Sequence, residues 1–246
     1  MLRERNKGLS AFLYLFVIVF LAMPFISSCG KKSNVGPSSN IQYQIINLSP
    51  DLGSVDLYIN FNKVNTSSYF YPTASGYFSL TSIDTPFQIR PGATITPGTV
   101  PPSVNIFNLD NILKPNTKYT LMIVGFNALD SLDKIFTVDT TTVQPVLGRG
   151  ELRFINASPS STGLDLAANG YTNPMFSNVP YKQVTSYVQL PAGTYSFQIY
   201  SHGSTIALQN PESVTIQDGR LYTLYCYGLA GRTDSLAFGT GVITNQ

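Results

Sequence analysis

The sequence of 246 residues has no tryptophan, one histidine and two cysteines, and only 11% of its residues are charged. Two cysteines are too few for a disulfide framework or a cysteine-rich zinc site. The single histidine, His202, leaves one candidate for imidazole-based catalysis. A formal charge of +2 is too small for electrostatic binding of nucleic acid, so we expect no nucleic-acid partner. The 15 Tyr and 15 Phe residues, with so few charges, indicate a folded chain rather than a disordered one.

Residues 1–28 have the layout of a secretory signal. Basic residues at positions 3, 5 and 7 precede an apolar run over residues 9–26. The run ends in Ile26-Ser27-Ser28-Cys29, which resembles the lipobox of bacterial lipoproteins. That resemblance implies that Cys29 becomes the acylated first residue after cleavage. Because the run is just long enough to cross a bilayer, an uncleaved membrane anchor is the alternative.

Acylation at Cys29 would hold the mature protein on a membrane without a spanning segment. Each buried methylene group contributes about 0.8 kcal/mol, so two or three acyl chains bind a bilayer very tightly. Gly30 follows the cysteine where an aspartate would indicate inner-membrane retention, by analogy with known sorting rules. We therefore predict the outer membrane, with the periplasmic and the cell-surface face both open. Residues 29–40 are predicted to be a flexible tether.

The mature chain is electrically neutral overall. Residues 1–28 contain three basic residues and one acidic residue, so their removal leaves 12 residues of each sign. No partner attracted by net charge is therefore implied.

The rest of the chain contains one pattern twice. Asn47-Leu48-Ser49-Pro50 corresponds to Asn156-Ala157-Ser158-Pro159 at an offset of 109 residues. Further matches follow in the same order, among them Val55-Asp56-Leu57 with Leu164-Asp165-Leu166 and Tyr119-Thr120-Leu121 with Tyr222-Thr223-Leu224. The repeat predicts two domains, residues 41–143 and 151–246, joined by a linker over residues 144–150. Each is large enough to have its own core.

Both units have the residue pattern of β-strands. In residues 54–60 apolar and polar side chains alternate, which places the apolar ones on one face. Turn signals such as Arg90-Pro91-Gly92 and Gln217-Asp218-Gly219 separate short segments of this kind. Tyr119, after Lys114-Pro115-Asn116, looks like the tyrosine corner of immunoglobulin-like sandwiches, and Tyr222 looks like a looser second copy. The predicted fold class is all-β, with two tandem Ig-like (fibronectin/transthyretin-like) β-sandwich domains after a cleaved signal peptide.

Two motifs of the second unit carry a family resemblance. They are Arg153-Phe154-Ile155-Asn156-Ala157-Ser158-Pro159 and Leu190-Pro191-Ala192-Gly193-Thr194-Tyr195. They resemble a family of bacterial envelope domains of unknown function that occurs in lipoproteins and in tandem copies. The first unit matches more weakly, with Asn-Leu-Ser-Pro at the first motif. The resemblance implies a fold and a cellular setting, and it supplies no catalytic residues.

No motif points to catalysis, to a cofactor or to a metal. His202 lies in a predicted hairpin, and no nucleophile elbow accompanies it, so we interpret it as an exposed turn residue. Asp56 and Asp165 recur at equivalent places, as do Asn47 and Asn156, which favours a shared structural role. Calcium is the conceivable metal for such oxygen ligands, but no clustered Asp-x-Asp-x-Asp loop supports it. We predict no catalytic, cofactor-binding or metal-binding residues.

Three further features concern thiol chemistry and binding. Cys226 is predicted to be a small buried side chain, because no cationic neighbour is close to it in sequence. The proline-rich stretch 91–102 is a candidate recognition loop. The aromatic cluster Tyr69–Tyr71 could stack on sugars or peptides. The alternative is that the loop varies only in length and that the aromatic rings pack internally.

These features predict a lipid-anchored outer-membrane protein that acts as a non-enzymatic binding, adhesion or assembly module. Its expected partners are the membrane, through the N-terminal lipid, and a glycan or an envelope protein. One alternative is an accessory subunit of an outer-membrane complex such as a nutrient importer. The other is an envelope glycan hydrolase.

Overall fold

The computed structural model of the chain describes residues 40–80, 86–92, 105–109, 113–139, 146–159 and 161–245. Within these ranges the chain forms sixteen β-strands and no helix, which confirms the all-β fold class. The strands are β1 (Gln42–Asn47), β2 (Val55–Ile59), β3 (Asn62–Lys63), β4 (Phe78–Ser79), β5 (Phe87–Pro91), β6 (Phe107–Leu109), β7 (Lys118–Val124), β8 (Asp133–Val138), β9 (Arg149–Asn156), β10 (Leu164–Ala168), β11 (Phe176–Val179), β12 (Val188–Pro191), β13 (Gly193–Ser201), β14 (Glu212–Ile216), β15 (Leu221–Tyr227) and β16 (Gly239–Thr244).

The first eight strands form a sandwich of two sheets. One sheet has the order β4-β1-β7-β8, and the other has the order β3-β2-β5-β6. In the first of these sheets the central pair β1–β7 is parallel. All other strand pairs of the sandwich are antiparallel. Alternate residues such as Tyr43 and Ile45 of β1 point inward against Leu57 of β2 and Ile89 of β5. This inward-facing set is the core of the first sandwich.

The last eight strands repeat this arrangement. Their sheets have the orders β12-β9-β15-β16 and β11-β10-β13-β14, and the central pair β9–β15 is again parallel. Phe154, Leu166, Phe197 and Leu224 contribute to a second core of the same design. The prediction of tandem β-sandwiches is therefore confirmed. Strand β9 begins at Arg149, inside the stretch predicted as a linker.

Both predicted tyrosine corners are present. The backbone N–H of Lys114 donates to the hydroxyl of Tyr119 at 2.8 Å. The backbone N–H of Gln217 donates to the hydroxyl of Tyr222 at 3.1 Å. Each tyrosine is the second residue of a central strand and fixes the turn five residues upstream, as the sequence indicates.

The two sandwiches also pack against each other. The outer faces of the β1–β7 and β9–β15 sheets share a third apolar cluster, in which equivalent positions such as Ile46 and Ile155 meet. Met122 of β7 and Tyr225 of β15 are a second equivalent pair in it. Residues 39–246 accordingly form one compact unit. Strand β7 is buried on both faces, because its two sets of side chains serve two different cores.

Candidate functional site

Several of the sequence predictions fall on residues that the structure does not describe. Cys29, the signal segment 1–28 and most of the tether lie outside the described residues, and so does most of the proline-rich stretch 91–102. Within the described ranges, the chain has no helix that could cross a bilayer. The lipid site and the loop 91–102 stay predictions.

The recurring residues Asn47 and Asn156 each fix segments of the chain next to the first strand of their sandwich. The Asn47 amide nitrogen donates to the Gly53 carbonyl at 2.7 Å, and its amide oxygen accepts from the Ser49 backbone N–H at 3.1 Å. Asn156 donates to the Val179 carbonyl at 2.8 Å, as Asn47 also does to the Tyr69 carbonyl at 3.3 Å, and it accepts from the Ser158 backbone N–H at 3.1 Å. Both asparagines are completely buried. Their recurrence therefore has a structural cause.

The recurring aspartates bind neighbouring segments of the chain, but through different partners. Asp56 accepts from the Lys63 ammonium and the Asn65 amide, each at 2.8 Å. Asp165 instead accepts from the Asn178 backbone N–H at 2.7 Å. The shared position thus serves one purpose in both sandwiches, which is to hold the segment that follows the second strand.

His202 lies directly after β13 and contacts Asp165. Its Nδ1 atom is 2.9 Å from Asp165 Oδ1, and about half of the imidazole is exposed. Burial alone would raise the pKa of Asp165, but hydrogen bonds from Asn178, His202 and Ser177 outweigh it and hold this pKa below the ordinary carboxyl value. The Ser177 hydroxyl donates to Asp165 at 3.0 Å, so it is oriented by the carboxylate and not by the imidazole. This differs from a serine–histidine–aspartate triad, in which the imidazole accepts from the serine.

Cys226 is completely buried in the core of the second sandwich. Burial raises the pKa of its thiol to about 12. A thiol in this environment carries no nucleophilic thiolate near neutral pH. The prediction of a small buried side chain is therefore confirmed.

The aromatic cluster Tyr69–Tyr71 is divided between packing and exposure. Tyr69 packs on the core of the first sandwich. The Tyr71 ring meets the Tyr227 ring edge-on across the contact between the sandwiches, at 5.9 Å between centroids. Phe70 alone is strongly exposed. Internal packing therefore accounts for both tyrosines, as the alternative interpretation holds.

Sequence reasoning missed a buried polar cluster at the contact between the sandwiches. The Arg153 guanidinium pairs with the carboxylate of Asp139, which is contributed by the other sandwich. It also donates to the Thr223 hydroxyl at 2.9 Å and to the Val138 carbonyl at 3.0 Å. Asp139 further accepts from three hydroxyl groups, those of Tyr77, Thr120 and Thr137 at 2.6 to 2.8 Å.

Strand register shows that this cluster also draws on equivalent positions of the two repeats. Gln44 lies opposite Thr120 in the first sandwich as Arg153 lies opposite Thr223 in the second. Asp139 and Asn245 likewise follow the last strand of each sandwich, and each donates its backbone N–H to the residue at the start of the central strand. The Asn245 amide donates to Tyr77 across the contact at 2.9 Å. The second sandwich thus has the cation Arg153 where the first has the amide Gln44, and the first has the anion Asp139 where the second has the amide Asn245.

A pocket of about 310 Å³ lies at one edge of the second sandwich. It is formed by residues 171–175, between β10 and β11, and by residues 188–190 of the edge strand β12. We call it the edge pocket. Tyr171 is 43% exposed, whereas Leu190 belongs to the core. The edge pocket is a concave surface of mixed polarity that could admit a small ligand.

The chain is similar to a solved structure and to a known domain family. One solved structure, the C-terminal domain of AlgF from P. aeruginosa, is similar over 40% of this chain and 97% of its own length, at 11% sequence identity and a TM-score of 0.27. A likeness at this level carries no argument about function. No curated protein matches the chain. A family model described as Domain of unknown function (DUF4397) matches residues 42–167 and again residues 150–245. The chain therefore belongs to the DUF4397 family and contains this domain twice.

Proposed function

We propose that this chain is a lipid-anchored outer-membrane protein that acts as a non-enzymatic binding, adhesion or assembly module. The observation that carries the proposal is the joining of the two sandwiches into one unit by a shared apolar cluster and a buried ion pair. A rigid unit of this kind holds its surface loops in a fixed relation to one another. Fixed loops on a β scaffold suit recognition, because little conformational entropy is lost on binding.

The recurring polar residues support a scaffold role for the repeated part of the chain. Neighbouring segments of the chain are held by Asn47, Asn156, Asp56 and Asp165. Features that differ between the two sandwiches are then the place to look for recognition. The lipobox at Cys29 supports the membrane setting on sequence grounds.

Acylation is tested by metabolic labelling with a palmitate analogue in a bacterial host. We expect the wild-type protein to be labelled and to fractionate with membranes, and we expect Cys29→Ser to lose the label. Cys226→Ser is the matched control, because it removes the other cysteine and keeps the lipobox. Labelling that survives Cys29→Ser would refute the anchor.

The binding role is tested by photo-crosslinking of the membrane-anchored protein in whole cells. A saturable partner in the envelope supports a binding or assembly module, and co-purification of one outer-membrane complex would identify the accessory-subunit alternative. Hydrolysis of an envelope polysaccharide that His202→Ala abolishes would establish the enzyme alternative and refute the proposal.

A further inference from the structure

The loop that forms one side of the edge pocket differs from its counterpart among the described residues of the first sandwich. In the first sandwich the chain turns back directly after β2, and β3 pairs with it, Lys63 opposite Tyr58. In the second sandwich the corresponding chain leaves β10 and forms the separate loop 171–175 before β11 begins at Phe176. The loop is therefore not required by the repeated scaffold.

The loop is held in place at both ends. The Asn169 amide oxygen accepts from the Ser196 backbone N–H at 2.7 Å. At the other end, the Met175 backbone N–H donates to the Leu166 carbonyl at 2.7 Å, and the Met175 side chain packs on the core. Contacts within the protein thus hold the loop, which lowers the entropic cost of binding a ligand.

A series of aromatic rings supports Tyr171 at the pocket rim. Its ring centroid is 6.3 Å from that of Tyr195, which in turn stacks on the buried Phe197 at 5.9 Å. The Tyr195 hydroxyl donates to the Pro191 carbonyl at 3.0 Å, which fixes the middle ring. Tyr171 is therefore an exposed ring held by packing, and such a ring offers apolar area at low entropic cost.

The polar groups of the pocket are uncharged. Its eight lining residues include Asn173, Gln189 and Thr172, and none of the eight is charged. Amides and hydroxyls both donate and accept hydrogen bonds. A charged ligand would have to give up water without gaining a counter-ion from these residues, which is costly.

We propose that the edge pocket binds a neutral saccharide. A sugar ring has an apolar C–H face that can lie on the Tyr171 ring, and it has hydroxyl groups that can pair with the uncharged polar residues of the lining. The volume of about 310 Å³ is at the small end of ligand pockets, which suits one end of an oligosaccharide. This inference rests on the proposed function as a binding module and names the class of ligand.

The test uses the full-length protein in a detergent without a sugar headgroup. Maltotriose, cellotriose and chitotriose are titrated separately by calorimetry and by saturation-transfer NMR, with trigalacturonic acid as the charged comparison. We expect at least one neutral trisaccharide to bind with a Kd of about 1 mM or lower. We expect Tyr171→Ala to weaken that binding about tenfold and Tyr171→Phe to retain it.

The matched control is Phe61→Ala, which removes an exposed aromatic ring from the corresponding turn of the first sandwich. It should leave saccharide binding unchanged. Absence of binding by all three neutral sugars overturns the inference, as does equal binding by Tyr171→Ala. A Gly-Ser-Ala peptide with an acetylated N-terminus and an amidated C-terminus, which is uncharged, serves as the peptide probe. If it binds in a Tyr171-dependent way and no sugar binds, the pocket is assigned to peptides and the inference is overturned. If sugars do not bind while Cys29-dependent labelling and a crosslinked partner are observed, this inference fails and the proposed function stands.

Discussion

The ion pair between Arg153 and Asp139 should control how firmly the two sandwiches are joined. The Arg153 side chain is 5% exposed and the Asp139 side chain is 0% exposed. The change Arg153→Met keeps an unbranched side chain but leaves a buried carboxylate without a cation. Breaking a buried pair in this way costs about 3–5 kcal/mol. We expect the lower end of that range, because the hydroxyls of Tyr77, Thr120 and Thr137 still donate to Asp139.

The free energy of unfolding can be measured in urea by tyrosine fluorescence and far-ultraviolet circular dichroism. With an m-value of about 2 kcal/mol/M, a loss of about 3 kcal/mol lowers the urea midpoint by about 1.5 M. Lys182→Met is the matched control, because Lys182 makes an exposed ion pair with Asp133 across the same contact. That exposed pair contributes less than about 1 kcal/mol.

A double variant separates the ion pair from simple loss of packing. Arg153→Met with Asp139→Leu removes both charges, so no buried charge is left unpaired. We expect it to be more stable than Arg153→Met alone. The reasoning is refuted if Arg153→Met destabilises the protein no more than Lys182→Met does, or if the double variant is the less stable of the two.

Three further outcomes follow from the described contacts. Tyr119→Phe should lower the free energy of unfolding by about 1 kcal/mol in urea titrations, because the Lys114 N–H loses its acceptor; no change would show that the corner does not stabilise the fold. Cys226 should react with a thiol reagent only after unfolding, since its thiol is buried and has a pKa raised to about 12; rapid labelling of the folded protein would contradict this. Asp165 has a lowered pKa in the fold, so it stabilises the protein above the unfolded carboxyl pKa of about 3.9, and this stabilisation is lost as the pH falls through the folded value. Asp165→Asn should therefore flatten the acid dependence of the urea midpoint, and an unchanged acid dependence would count against this origin.

The parts of the fold that depend on local pattern could be predicted from the sequence. Alternation around Asp56 and the repeat of Asn47 at Asn156 indicate strands that are used twice. Tyr119 after its turn indicates the corner, since the hydroxyl reaches backbone only a few residues away. These signals lie within short stretches of chain, so one sequence is enough to interpret them.

The contact between the sandwiches and the edge pocket depend on residues that are distant in sequence. Strand β7 offered one signal, because the unbroken apolar run from Leu121 to Val124 indicates burial on both faces. That signal does not say which surface covers the second face. Nor does sequence bring loop 171–175 to strand β12, since this proximity depends on how the two sheets are stacked.

The difference between Asp139 and Asn245 determines which halves can associate. Two copies of the second sandwich meeting through this face would bring Arg153 to Asn245, a neutral amide in place of the carboxylate, so each copy would bury an uncompensated cation. Two copies of the first sandwich would bring Asp139 next to the neutral Gln44 amide, so each copy would bury an uncompensated anion. Like-with-like dimers are therefore disfavoured on both sides. Two homologous surfaces have become complementary to each other and poor partners for themselves.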